Sequence, residues 1–330
     1  MATSTSSSSS KTSKSRYLPI QDHYVSESPA STARFIDTHC HVSTTLSMAL
    51  EKVSARDNGN STGGGVTDEV DLMNLLFQPQ VEAIVDVYCD IPVSNKWKLL
   101  SDIFHEDTKL LRNWKGDYFF TMGCHPHSAK YYNPQVEADM LEAWTHPRCV
   151  AIGECGLDYK KSQSPHDVQR QVFKRQIEIA TQIINKPLVV HTREAEEDTI
   201  KILVENLPRN HPVHVHCFTD SAWMGREILD YFPNSMIGIT GVITFQSLKT
   251  TTALLQQSGR QILNRILLET DSPFMIPSNF QRNKKPQYAV SHSGMIPFTA
   301  QKVADLVGDG VTAEEVLSIT RENARKLYNI

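Results

Sequence analysis

Eight side chains in this sequence could bind a metal ion or carry a proton: His39, His41, His125, His127, Glu154, His191, His216 and Asp271. Each stands where a strand-forming apolar run gives way to polar residues. Imidazoles and carboxylates together suit Zn²⁺, Mn²⁺ or Mg²⁺, and a carboxylate can bridge two such ions. Glu154 poses the question most sharply. In VAIGECGLDY, residues 150–159, β-formers lead into a glutamate flanked by Gly153 and Gly156. A carboxylate ending a buried strand is costly unless something positive meets it, and the glycines would let backbone and ligand come close. A strand end whose glutamate reaches water explains that stretch equally well. Any one of these histidines taken alone is more often a surface or hydrogen-bonded residue than a ligand. The case for a metal centre rests on several of them falling together at strand ends.

The elements that must position these groups settle into alternation from residue 81 onward. Strands are expected at 34–41, 81–89, 118–124, 149–154, 187–191, 213–218, 236–240 and 265–270. Helices are expected at 46–53, 95–113, 135–145, 165–184, 194–207, 222–231 and 248–257. In the 165–184 helix, Val168, Val172, Phe173, Ile177, Ala180 and Ile184 recur at helical spacing and should face a sheet. Eight strands joined by crossovers fit a (β/α)₈ TIM barrel, with a doubly wound open sheet as the alternative. In a barrel the C-terminal strand ends ring one mouth, so the eight candidates would converge. Two further helices, 298–307 and 313–328, end the chain. Thr312 and Glu315 read as a capping-box pair, and Val311 and Val316 as a hydrophobic staple.

Composition narrows the classes. With 330 residues, a barrel domain over 34–330 leaves a Ser/Thr-rich, disordered tail at 1–33. A formal net charge of −4 argues against a broadly basic nucleic-acid binder. It leaves room for a nuclease, because bound metal ions can supply the positive charge that meets phosphate. The six cysteines are scattered singly, which suits small buried hydrophobes in a reducing compartment better than disulfides or a Cys₄ zinc site. No apolar run reaches membrane-span length and the tail lacks the apolar centre of a secretory signal. The cytosol is the expected location, with nucleus and mitochondrion as alternatives. No oligomeric state follows from the sequence.

The chain resembles the TatD-related metal-dependent deoxyribonucleases of the amidohydrolase-like barrel superfamily. The resemblance runs through FIDTHCH at 35–41, GCHPH at 123–127, AIGECGLDY at 151–159, KPLVVHTREA at 186–195, VHCFTDS at 215–221, GITG at 238–241 and LLETDSP at 267–273. It implies a TIM barrel, two divalent metal ions (Mg²⁺, Mn²⁺ or Zn²⁺) and phosphodiester hydrolysis of DNA, typically 3′→5′ exonucleolytic, with RNA as an alternative substrate. Carried across by motif, the metal ligands would be His39, His41, Glu154, His191, His216 and Asp271. Glu154 would bridge the ions, Asp271 would also take the proton of the attacking water, and His127 would meet substrate or shape the mouth. An amide, ester or phosphomonoester hydrolase of the same fold is the competing reading, because function belongs to the site and its loops. A barrel that only binds a partner is a third.

Neighbouring residues have plainer expectations. Glu269 should support the ligands, and Asp158 either orients one or caps a loop. Arg193 either touches substrate phosphate or pairs with Glu194, Glu196 or Glu197. His214 should point into the barrel and be hydrogen-bonded there, whereas His23, His105, His146, His166, His211 and His292 should be exposed. Three features depart from the family's pattern. They are a longer Gly/Asn-rich segment at 43–80, Asp220 where glycine is common, and a basic Arg282-Asn283-Lys284-Lys285-Pro286 run.

Overall fold

The computed structural model describes residues 33–56, 68–76, 79–104, 109, 116–161, 163–280 and 290–330. The tail with His23, the glycine run of the 43–80 segment, His105 and the basic 282–286 run lie outside them.

Eight parallel strands follow one another in sequence order: β1 Phe35–Cys40, β2 Val81–Tyr88, β3 Asp117–Met122, β4 Cys149–Asp158, β5 Leu188–Arg193, β6 Val213–Val215, β7 Ser235–Ile239 and β8 Ile266–Leu268. Each pairs in parallel with the next, so the chain must cross over between them, and the crossovers form the outer layer. The barrel closes just beyond β8. Asp271 N–H donates to the His39 carbonyl and His41 N–H to the Ser272 carbonyl, each at 2.9 Å. This is the TIM barrel expected from the alternation.

The helices are α1 Val42–Arg56, α2 Glu69–Leu76, α3 Lys96–Ile103, α4 Pro134–Thr145, α5 His166–Glu178, α6 Glu196–Asn206, α7 Ala222–Tyr231, α8 Thr250–Ser258, α9 Ile296–Val307 and α10 Ala313–Tyr328. Val172, Phe173 and Ile177 make the buried stripe of α5, which continues into a π-helical turn, Ile179–Ile183, and so accounts for the full 165–184 pattern. Asn133 starts α4 by accepting from the Gln135 and Val136 N–H groups, with Pro134 at the first helical position. At α10 the Thr312 hydroxyl accepts from Glu315 N–H at 3.2 Å. The Glu315 side chain pairs with Arg260 instead of reaching back, so only half of the expected capping box forms.

Two apolar layers result. One lies between strands and helices. The other fills the barrel interior with Ile36, Ala83, Val85, Ala151, Val189 and Leu267, and is plugged from below by Ala324, Leu327 and Tyr328 of α10. All six cysteines are free, five of them buried and Cys217 partly so. Among the described residues no helix is long and apolar enough to cross a membrane.

Strand limits differ from expectation where the site forms. β4 does not stop at Glu154 but runs on to Asp158, because Cys155, Gly156, Leu157 and Asp158 pair with Val190, His191, Thr192 and Arg193. The register slips between Ile152 and Cys155, so Glu154 sits at an irregularity inside a buried strand. β6 is shorter than expected, and His216 lies just past it. The first helix is longer than expected, spanning Val42–Arg56.

Candidate metal centre

Glu154, buried at 3 % exposure, meets four imidazoles. Its Oε2 lies 3.4 Å from His39 Nε2. Its Oε1 lies 2.6 Å from His191 Nδ1, 3.3 Å from His216 Nε2 and 3.5 Å from His125 Nε2. Asp271 Oδ1 stands 3.4 Å from His41 Nε2. The structure therefore gathers all six residues expected as ligands, drawn from or just beyond β1, β4, β5, β6 and β8. It also adds His125, which sequence reading placed at a strand end without making it a ligand.

The glycines beside Glu154 do something other than open space for a ligand. Gly153 and Gly156 have φ of 135° and 145°, and a Cβ on either would run into the β5 backbone at Val189 and His191. They bring β4 and β5 together so that Glu154 and His191 can meet.

Three groups of side chains present donor atoms within 4.8 Å of one another: His39, His41 and Glu154; His39, His216 and Asp271; and His125, Glu154 and His191. Glu154 belongs to two of them. His39 is wholly buried, yet neither of its ring nitrogens is in a hydrogen bond, and the same is true of His191 Nε2. Orphaned buried imidazole nitrogens call for a partner, and the donor set of histidines and carboxylates fits a divalent cation.

Electrostatics divide the cluster. Burial opposes charge on Glu154, but His216, His125 and His191 outweigh it and hold the carboxyl well below the usual range. Burial likewise pulls His41 down, yet the hydrogen bond and charge of Asp271 lift it to about 9. Glu154 and Glu269 raise His216 against the same burial, and Asp158 and Glu154 raise His191. His39 is pushed down to about 4 by burial and the neighbouring His216, and His125 to about 3 by burial. Without metal, the carboxylates draw protons toward His41, His191 and His216, whose basicity they raise.

Outer partners fix the rings. His41 Nδ1 lies 3.2 Å from the Val87 carbonyl, leaving Nε2 toward Asp271. Behind His216, Glu269 Oε1 is 3.4 Å from Nδ1, and Glu269 Oε2 is 2.9 Å from His214 Nε2. His214 Nδ1 meets the Tyr328 hydroxyl at 2.7 Å. Glu269 thus stands behind a ligand as expected, His214 is hydrogen-bonded inside the barrel as expected, and the chain reaches α10, a link no spacing in the sequence suggested. Asp37 accepts from Thr270 N–H at 2.9 Å and from its hydroxyl at 2.7 Å, tying the residue before Asp271 to the strand that carries His39.

At the rim, His127 Nε2 lies 2.9 Å and His191 Nε2 3.4 Å from Asp158 Oδ2, while Asp158 Oδ1 accepts from Lys161 N–H at 3.0 Å. Asp158 therefore both orients histidines and caps the loop. Arg193 is half-buried at the end of β5. Among the described residues it pairs with none of Glu194, Glu196 and Glu197: Lys160 holds Glu194 at 2.6 Å and Ser221 engages both oxygens of Glu196. Asp220 is buried beside this group, and burial together with Glu196 raises it to about 7.

Three of the remaining histidines are not exposed as expected, His211 and His292 being buried and His146 half-buried. His211 is buried with Nε2 2.9 Å from the Lys186 carbonyl, and His292 is buried at the turn leading into α9. A loop position places neither at the surface, because the connections pack against the strand ends. His166 is exposed and stacks on Tyr159.

Comparison with known proteins identifies the family and the fold. Residues 36–329 match the family described as TatD related DNase. The human 3′-5′ RNA nuclease TATDN2 is 34 % identical over 297 residues, which cover 90 % of this chain and 35 % of that protein. The chain thus spans about a third of that relative's length. The 3′-5′ ssDNA/RNA exonuclease TatD of Rahnella sp. is 33 % identical over 212 residues, 63 % of this chain and 76 % of that one. In fold, an uncharacterized amidohydrolase from Saccharomyces cerevisiae superposes with a TM-score of 0.70 at 18 % identity, covering 90 % of this chain and 100 % of that chain. A hydrolase TatD family protein from Entamoeba histolytica does so with 0.67 at 20 %, covering 91 % and 99 %. The chain belongs to the TatD-related DNase family.

Proposed function

We propose that this protein is a divalent-metal-dependent nuclease that hydrolyses phosphodiester bonds of DNA or RNA from a 3′ end. The observation that carries the proposal is Glu154 set among four imidazoles and shared by two of the three ligand groups. Two divalent ions would then share Glu154 as a common ligand. His39, His41, His216 and Asp271 would serve one side, and His125 and His191 the other. Bound there, divalent ions would supply Lewis acidity toward phosphate and an acidified water.

The protein's own groups do the rest. Asp271 presents a carboxylate oxygen beside His41 and accepts the proton of the attacking water. His127, held by Asp158, stands at the rim to donate to a substrate phosphate oxygen. Arg193, without a carboxylate partner among its neighbours in sequence, offers charge to the strand next to the scissile bond. Glu269 and His214 keep His216 aimed at Glu154, so that little reorganisation accompanies the reaction. No side-chain nucleophile is needed: burial pushes the Cys217 thiol up to about 12, where it is protonated at neutral pH.

The test is a metal series on end-labelled single- and double-stranded DNA and RNA. Chelator should abolish cleavage, and a 3′-to-5′ ladder should return with one of Mg²⁺, Mn²⁺ or Zn²⁺. Cleavage that persists in chelator overturns the reading, as does turnover of a small ester with every nucleic acid left intact.

A further inference from the structure

We propose that a second site, a cleft between the segment following β7 and helices α8 and α9, holds one nucleotide of a single strand whose end lies in the metal centre. This inference rests on the nuclease reading above. The cleft has a volume of about 370 Å³, within the roughly 300–1,000 Å³ typical of ligand sites. Phe245, Gln246, Lys249, Gln256 and Lys302 line it, and among the described residues no carboxylate does. Among the described residues neither lysine forms an ion pair. Two lysines lining one cleft with no carboxylate among its described lining residues give it a positive potential suited to an anion.

The chemistry of the lining matches a nucleotide. The half-buried Phe245 ring offers a face for a base, the lysines meet a phosphate, and the exposed Gln246 and Gln256 amides can donate and accept at base edges. A base paired in a duplex could not turn onto Phe245, so the occupant is single-stranded.

The cleft is also fastened to the metal centre. Its wall residue Thr244 accepts from Ser278 N–H through Oγ1 and from Ser278 Oγ through its carbonyl, each at 2.6 Å. Gly241 stands against the Met275 carbonyl so closely that no side chain would fit. Both contacts join the cleft to the loop that begins at Asp271. That loop carries Phe274, which is 44 % exposed and whose N–H donates to the Asp271 carbonyl at 3.0 Å. The proposed strand would leave Asp271 along this loop, past Phe274, toward Phe245 and the lysines.

The test compares the native protein with Lys249→Gln/Lys302→Gln, with Lys249→Arg/Lys302→Arg and with Phe245→Leu, after circular dichroism shows that each is folded. Two measurements are made: cleavage of a dinucleotide and of a 12-nucleotide single strand, and anisotropy binding of the labelled 12-mer to chelator-treated protein across a salt series. The Gln pair should weaken 12-mer binding about tenfold and flatten the salt dependence by roughly 0.7 per lost phosphate contact. Phe245→Leu should weaken it roughly five- to hundredfold, the worth of one stacked base. The Arg pair should bind as the native protein does, and dinucleotide turnover should not change in any variant. Unchanged 12-mer affinity and salt slope in the Gln pair overturn the site, as does an equal loss on a duplex of the same length. Failure of the nuclease reading looks different: the native protein would then cleave neither substrate.

Discussion

At the mouth of the barrel the charges are arranged for something the chain does not itself contain, whereas at the floor a partly buried carboxylate meets arginines of the chain's own. On the floor, Glu82 receives Arg34 at 3.2 Å, Arg321 at 2.7 Å and Arg325 at 2.6 Å, which ties α10 across the starts of β1 and β2. Leu327 and Tyr328 push into the barrel beside this clamp. At the mouth, Glu154 is crowded by imidazoles that balance it only when protonated, and His39 keeps both ring nitrogens out of any hydrogen bond. The contrast teaches how one fold divides its work. The floor stores stability in groups that satisfy one another, and the mouth leaves its polar groups to be completed by what binds.

Removing the central carboxylate should have the largest effect. Glu154→Gln should lower nuclease activity by roughly 10³-fold or more, measured on end-labelled single strands. It should also destabilise the chelator-treated protein by about 3–5 kcal/mol at pH 7, because the raised His191 and His216 lose their counter-charge in a buried setting. Activity within tenfold of native would remove Glu154 from the centre of the account.

The floor should respond in the opposite way. Leu327, 5 % exposed, fills the lower end of the barrel, so Leu327→Ala should cost about 2–5 kcal/mol in denaturant unfolding. Turnover per folded molecule should stay near native at a temperature well below the melting point. A selective loss of turnover with stability intact would break the division between floor and mouth.

Proton linkage gives a third test. His41 is raised to about 9 in the metal-free site, so it is charged at pH 7 and must lose its proton to become a ligand. Metal affinity should therefore rise by about tenfold per pH unit for each proton displaced between pH 7 and 9. Calorimetry in buffers of different ionisation enthalpy should show proton release. The metal-free protein should move the other way. A histidine with a raised folded pKa contributes stability that is complete below its unfolded value near 6.5 and is lost as pH climbs through about 9. Opposite pH trends for metal affinity and metal-free stability are the signature. Metal uptake without proton release would contradict the charge assignment.

The smallest effect should come from the hydrogen-bonded thread that joins the two ends. Tyr328→Phe removes the hydroxyl that meets His214 behind Glu269 and His216. It should cost about 0.5–1.5 kcal/mol of stability and about tenfold in metal affinity, measured by competition with a chromogenic chelator. A stability loss with unchanged metal affinity would show that the floor does not support the mouth.

Much of this was legible beforehand. Alternating apolar runs set the eight strands, and His39, His41, Glu154, His191, His216 and Asp271 could be placed because each follows such a run. Glu269 and His214 were readable from their two-residue offsets to Asp271 and His216, since side chains in a strand repeat with period two. His125 was visible as a strand-end residue but not as a neighbour of Glu154, because the turn after β3 decides where its ring goes. The exposure expected of His211 and His292 failed for a related reason, since whether a connection lies over the surface or against a strand end is a matter of packing.

The sequence by itself determined the barrel and the inventory of its mouth, because strand and helix periodicities and residue chemistry are local properties. Only the tertiary structure decided which atoms meet. The slipped register inside β4 set Glu154 among four histidines, the close approach of β4 and β5 required Gly153 and Gly156, and α10 carried Tyr328 to His214 across 114 positions of chain. Contacts of that kind depend on the closure of the whole barrel, and no window of sequence contains both partners.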